Sequence, residues 1–141
     1  MEVVERSASV RMVTHRVREF CTSMERLAWA KNNGCPWVAR TCAIAARGGR
    51  LEMLRWARAH DCPWDERTCA CAAFNGHLEV LRWAREHDCP WGSSTCYHAA
   101  AYGHLKVLQW ARTRGCPWDK RDCVRASQNH PETHAWVLGQ P

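Results

Sequence analysis

Apolar and polar positions recur along this chain at a fixed interval. The tripeptide Cys-Pro-Trp begins at Cys35, Cys62, Cys89 and Cys116, a spacing of 27 residues each time. Written in that period, Trp29, Trp56, Trp83 and Trp110 fall in one column, and Cys42, Cys69, Cys96 and Cys123 in another. Thr41, Thr68, Thr95 and Asp122 precede the cysteine column, and Leu51, Leu78 and Leu105 form a third. Self-similarity of this length is the mark of stacked supersecondary units, each too small to bury its apolar face alone.

Each unit reads as two helices, best seen in residues 62–88. Cys62 precedes a proline and is pushed toward extended geometry, so the chain turns there. Asp65 is a good N-cap, with Glu66 favourable in the first turn. Trp64 then stands at N′ and Cys69 at N4, the spacing of a hydrophobic staple. The first helix should run to about Phe74, where Asn75-Gly76 stops it. The second should start near His77 and carry Leu78, Val80, Leu81, Trp83 and Ala84.

The apolar arcs of the two helices differ. Cys69, Ala72 and Ala73 make one narrow face of small side chains that lets a neighbour approach closely. In the second helix only Glu79, Arg82 and Glu86 break a wide arc, which places Trp83 in the core. The end units carry polar replacements. Upstream, His15, Arg18 and Glu19 replace the Cys and Ala of the close-packing face, beside an apolar row of Val13, Val17 and Phe20, while Thr14 keeps its column. Downstream, Thr133 and His134 stand where Val80 and Leu81 stood. Terminal repeats need such substitutions for solubility. The predicted fold is all-α: one α-solenoid of stacked helix pairs over 1–141. Its capping units are 8–34 and 116–141, and its full units 35–61, 62–88 and 89–115.

Composition changes this picture little. The chain is 46% hydrophobic and 24% charged, without low-complexity tracts. Nothing approaches the roughly 18 consecutive apolar residues of a membrane span, and the first ten residues lack the apolar run of a secretory signal. The expected setting is intracellular, cytoplasmic or nuclear, with no membrane contact. A net charge of +6 is moderately basic, but the distribution of charge matters more than its sum.

The stretch Arg67-Thr68-Cys69-Ala70-Cys71-Ala72-Ala73-Phe74-Asn75-Gly76-His77-Leu78-Glu79-Val80-Leu81 resembles an ankyrin repeat. Thr-Cys-Ala-Cys-Ala-Ala stands for that family's Thr-Pro-Leu-His-x-Ala-Ala, followed by its Asn-Gly-His-Leu-Glu-Val. The likeness covers about residues 11 to 138 and departs in length, since an ordinary ankyrin unit has about 33 residues. Cys-Pro-Trp replaces the β-hairpin finger, which is therefore expected to be absent or vestigial. Short units ending in Gly-Cys-Pro-Trp look like those of algal, oomycete and giant-virus ankyrin-type proteins. The resemblance implies protein–protein binding, with the first helices lining the concave binding face.

Sharper chemistry meets a plainer competitor at each point. Cys116, Cys123, His130 and His134 offer four metal ligands, but their intervals are wrong for a Cys2His2 finger and the Cys pair recurs elsewhere without histidines. Equivalent cysteines of successive units should lie about 8–10 Å apart, beyond the roughly 7 Å a disulfide spans. Pairing within a unit, Cys62 with Cys69, stays open, though reduced thiols packed as small hydrophobes are expected of the ten cysteines. Lys31, Arg58, Arg85 and Arg112 form a ladder of one cation per unit that suits phosphates. It equally suits long stems covering apolar surface, with Glu52 and Glu79 opposing Arg55 and Arg82 at i, i+3. No Gly-rich phosphate loop, nucleophile elbow or isolated carboxylate pair suggests catalysis. No cofactor or metal is expected.

Columns that stay constant carry the stacking, and columns that vary are free for another use. In the first helices the variable columns are Arg40/Arg67/Ser94/Arg121, Ile44/Cys71/His98/Arg125 and Arg47/Phe74/Ala101/Gln128. They run i, i+4, i+7, opposite the Cys/Ala face. Beside them lie Ala43/Ala70/Tyr97/Val124 and Gly48/Asn75/Tyr102/Asn129. The strip mixes Ile44, Phe74, Tyr97 and Tyr102 with arginines, the residue types that anchor interfaces. The expected binding residues are Arg40, Ile44, Arg47, Arg67, Phe74, Asn75, Tyr97, His98, Tyr102, Arg121 and Arg125, on a monomeric scaffold that holds another protein. The alternative is a basic solenoid that binds nucleic acid through the cation ladder.

Overall fold

The structure, a computed structural model, describes residues 24–34 and 37–141. The features expected at Val13, Thr14, His15, Val17, Arg18, Glu19 and Phe20 lie outside these residues, as does Cys35. Among the described residues there are nine helices and no strand. In chain order they are α1 (Met24–Asn32), α2 (Ala39–Arg47), α3 (Leu51–Ala59), α4 (Glu66–Phe74), α5 (Leu78–Glu86), α6 (Ser93–Ala101), α7 (Leu105–Thr113), α8 (Lys120–Ala126) and α9 (Pro131–Leu138).

The boundaries follow from local chemistry. Asp65 is extended, and its carboxylate accepts the Arg67 amide at 3.0 Å to open α4. Asp119 opens α8 in the same way, accepting from the Asp122 amide at 3.2 Å. Both helices of a unit end in the same motif. After α4, Gly76 is left-handed (φ 71°) and the His77 and Gly76 amides return to the Ala72 and Ala73 carbonyls. After α3, Asp61 is left-handed and the Cys62 and Asp61 amides return to Ala57 and Arg58. These are Schellman caps, each satisfying carbonyls that the helix leaves open. The column of that second cap reads Gly34, Asp61, Asp88, Gly115, and all four have positive φ.

The first helices α2, α4, α6 and α8 pack against one another in series, and α3, α5, α7 and α9 each lie on the first helix of their own unit. The series contact uses the small faces Cys42/Ala45/Ala46, Cys69/Ala72/Ala73 and Cys96/Ala99/Ala100, all essentially inaccessible. The contact between the two helices of a unit is filled by Leu54, Leu81 and Leu108, each 0% exposed, with Ala57, Ala84 and Ala111. The described residues therefore form an all-α array of packed helix pairs.

Glycine and histidine couple neighbouring units. The His77 ring lies over Gly49 and donates to the Arg47 carbonyl at 3.1 Å; the His104 ring lies over Gly76 and donates to Phe74. A Cβ on Gly76 would meet His104 Nδ1 at 2.6 Å, so glycine serves both the left-handed turn and the close approach.

Two expectations need correction. The second-helix tryptophans are not core: Trp56, Trp83, Trp110 and Trp136 are half-buried and Trp29 is 45% exposed. Their column flanks the leucine that fills the interior, and a ring so large reaches the rim. The polar residues of the last unit do not form an exposed face either. Thr133 is buried, and the half-buried His134 reaches the Val124 carbonyl and the Ser127 hydroxyl, each at 3.1 Å.

Candidate functional site

Three consecutive first helices bring the variable columns together. Arg40, Ile44 and Arg47 from α2, Arg67, Cys71 and Phe74 from α4, and His98 from α6 line an open groove of about 600 Å³. Ala43 and Ala70 form its floor and are nearly inaccessible, because these short side chains lie between adjacent helices. The narrow Cys/Ala faces beneath draw α2 and α4 close, and the longer outward side chains then splay over the seam.

Cations surround this floor. The Arg47 guanidinium stands over the Phe74 ring at 4.8 Å. Arg67 forms a two-pronged pair with Asp65, at 3.0 and 2.9 Å, which lowers the Asp65 carboxyl below its ordinary range. Arg40 is exposed and has no ion pair among the described residues. Burial lowers the His98 imidazole, so the neutral form is favoured, and raises the Cys71 thiol. His98 Nδ1 is buried without a hydrogen-bond partner among the described residues.

Of the eleven strip residues expected to bind, six line the groove: Arg40, Ile44, Arg47, Arg67, Phe74 and His98. Tyr97 (43% exposed) and Tyr102 (47%) extend it, Tyr97 edge-on to His98 at 5.6 Å and Tyr102 against Phe74 at 4.2 Å. Asn75 is exposed, but its amide donates to the Arg47 carbonyl of the preceding unit at 2.7 Å and is partly engaged in stacking. Arg121 and Arg125 sit on α8, outside the groove lining, and Arg125 pairs with Asp122 at 3.0 Å. Cys71 was the neighbour missed; it shares a column with Ile44 and His98, which already pointed to it.

The cation ladder is occupied from within. Arg58, Arg85 and Arg112 stand over Trp64, Trp91 and Trp118 of the following unit at 4.3, 4.3 and 4.6 Å, and Lys31 lies 5.7 Å from Trp37. The same guanidiniums donate to the carbonyls of Cys62, Cys89 and Cys116 at 2.5 Å. Lys31 donates to the His60 carbonyl at 2.8 Å. Glu52–Arg55 and Glu79–Arg82 pair as the i, i+3 spacing predicts, at 3.5 and 3.7 Å.

The cysteines meet in an order not anticipated from the sequence. Cys42, Cys69 and Cys96 face the Cys-Pro-Trp cysteine of the next unit, Cys62, Cys89 and Cys116 respectively, with the Cys42 thiol 4.0 Å from the Cys62 carbonyl. The neighbouring thiol and burial hold the first three thiols far above their ordinary range. The Cys89 and Cys116 sulfurs reach on to the Asp65 and Gly92 carbonyls at 3.5 Å. Cys62 thus faces Cys42 rather than Cys69. The four residues weighed as metal ligands have separate neighbours. Cys116 bonds Gly92, His130 lies over Gly103, His134 bonds Val124, and Cys123 is pushed up to about 11 by burial and by Asp119 and Asp122. No group of three or more metal-ligating side chains is gathered among the described residues.

No helix among the described residues is long and apolar enough to cross a membrane. No protein-family profile matches the chain, and no curated protein is significantly similar to it.

Proposed function

We propose that the chain is a non-catalytic protein-binding scaffold, an α-solenoid of the ankyrin type that holds its partner on the outward face of its first helices. One observation carries this reading. Members of the columns that differ between units, drawn from α2, α4 and α6, meet around one groove, whereas the columns that repeat are used in stacking. Half-exposed aromatics beside arginines are the composition of an interface centre. With no strand among the described residues to form a finger, the first-helix face is the surface that supports this reading. Nucleic-acid binding along Lys31, Arg58, Arg85 and Arg112 has weaker support, because those charged heads already serve rings and carbonyls.

The test is affinity capture from cell extract with the parent and with Phe74, Tyr97 and Tyr102 replaced together by alanine. A specific partner should lose at least about 2 kcal/mol if one of the three is a hot spot. Phe74 is half-buried against Tyr102, so the Tyr97→Ala/Tyr102→Ala double variant serves as the fold control. Equal capture by parent and triple variant would move the interface elsewhere, and a steep salt dependence of binding would favour nucleic acid.

A further inference from the structure

We propose that the groove between α2 and α4 takes an acidic peptide segment of a partner protein, with one bulky apolar side chain seated on the floor and carboxylates on either side of it. This refinement rests on the protein-binding reading above. The argument is charge complementarity around an apolar seat. Arg40, Arg47 and Arg67 rim the groove, and no carboxylate among the described residues belongs to its lining. Asp65 answers Arg67 from outside it, whereas neither Arg40 nor Arg47 has an ion pair among the described residues, and the Arg47 guanidinium stands over the Phe74 ring. Between the cations the surface is apolar, made by Ile44, Cys71 and Phe74.

That mixture selects among ligands. A nucleic acid needs cations spaced along a backbone and bases stacked on open ring faces. Here the cations close around one seat, and the Phe74 ring is already covered by Arg47 on one side and Tyr102 on another. A small metabolite needs a pocket that encloses most of its surface, and this groove is open. A volume of about 600 Å³ instead accommodates a short run of peptide side chains. Guanidinium forks bind carboxylates through paired hydrogen bonds, and Arg67 already holds Asp65 with two nitrogens donating to Oδ2.

The experiment selects binders for the full chain from a random displayed-peptide library and measures the enriched peptides by fluorescence anisotropy. The expected peptides combine Asp or Glu with Leu, Ile, Phe or Trp. Their dissociation constants should rise at least about thirtyfold with Arg40→Glu/Arg47→Glu, since reversing both charges sets like charges against the peptide's carboxylates. Arg40→Gln/Arg47→Gln should show a smaller rise in the same direction, and Arg125→Glu should change little. Circular dichroism melts close to the parent's establish that the variants fold. Enriched peptides lacking carboxylates, or acidic peptides indifferent to both double variants, would overturn the proposal. So would poly-glutamate or oligodeoxythymidine binding as tightly as the best peptides, which marks a generic polyanion surface. Peptides lost with Tyr97→Ala/Tyr102→Ala but not with the Arg40/Arg47 variants would sink this inference and leave the protein-binding strip standing. No enrichment above background would remove both.

Discussion

Two surfaces of the array obey opposite rules. Along the edge where the second helices meet the Cys-Pro-Trp turns, every junction repeats. A cation covers the next unit's tryptophan, and that tryptophan meets the second-helix tryptophan of its own unit. The centroid distances are 6.1, 5.9, 5.9 and 6.3 Å for Trp37–Trp56, Trp64–Trp83, Trp91–Trp110 and Trp118–Trp136. On the outward face of the first helices no column is constant: Ile44, Cys71, His98 and Arg125 share one column and no chemistry, and Ser94 interrupts the arginines at Arg40, Arg67 and Arg121. Where one arrangement satisfies every junction, each unit is held to the same residue types. Where no junction depends on the side chain, the units diverge. Large, exposed and charged residues thus occur on both surfaces, and only their repetition distinguishes stacking from a candidate for recognition.

The comparison breaks first in the interior of a unit. Leu81 is 0% exposed between α4 and α5, so Leu81→Ala should cost about 2–5 kcal/mol. Trp83→Ala should cost less than the roughly 3–5 kcal/mol of a buried tryptophan, because its ring is half-buried between Trp64 and His87. Arg82→Ala, removing only an exposed pair to Glu79, should stay within about 0.5 kcal/mol. Denaturant midpoints at unchanged slope would rank the three. Trp83→Ala exceeding Leu81→Ala would mean that the edge, not the leucine seam, holds the unit together.

The edge is tested next at Arg85. Its guanidinium covers Trp91 at 4.3 Å and bonds the Cys89 carbonyl, so Arg85→Gln removes a cation–π contact and a charged hydrogen bond. A loss of about 1–2 kcal/mol is expected. Arg125→Gln, on the non-repeating face, breaks one exposed pair and should cost about 0.5 kcal/mol or less. Equal effects in urea titrations would erase the distinction between the two surfaces. A rise in salt should not abolish the difference, because the Trp91 contact is only partly screened.

Much of this was legible in the sequence because the period did the work of an alignment. The helix limits followed from Asp65, Asn75-Gly76 and the proline of each turn, and the outward phase of Arg40, Ile44 and Arg47 followed from the fixed Cys/Ala column. What stayed hidden is contact between columns of different units. Cys42 lies 20 residues before Cys62, and nothing in a 27-residue period says that those two columns meet. The same holds for His77 over Gly49: Gly-His reads as a helix start, and only stacking reveals the ring lying on the preceding glycine. Trp83 was placed too deep because periodicity assigns a face but not a depth, and a large ring at the border of the arc extends outward. Thr68 and Thr95 are fully buried with hydroxyls that make no hydrogen bond among the described residues, and nothing in the structure explains why threonine is kept there.

The smallest expected effect compares two units at a single cap. Asp65 closes the start of α4 with its carboxylate, whereas Gly92, in the same column, opens α6 without a side-chain hydrogen bond. The backbone at Gly92 (φ −144°, ψ −171°) is extended, close to that of Asp65 (φ −143°, ψ −170°), so a side chain is conformationally admissible. What distinguishes the sites is Glu66: a Cβ at Gly92 would lie 2.8 Å from its carboxylate oxygen. Glu66 is exposed and flexible enough to move aside. Gly92→Ser should then supply the missing acceptor for the first turn and raise stability by about 0.2–0.5 kcal/mol, the ordinary difference between serine and glycine caps. Gly92→Asp has the better capping group but brings a second negative charge beside Glu66, so it should gain less than serine at low ionic strength and approach it as salt is added. Paired thermal melts at low and high salt measure both. An aspartate variant that exceeds serine at low salt would show that Glu66 swings clear at no cost. A destabilised serine variant would show that the carboxylate is held where it stands and that Gly92 is needed for room rather than tolerated.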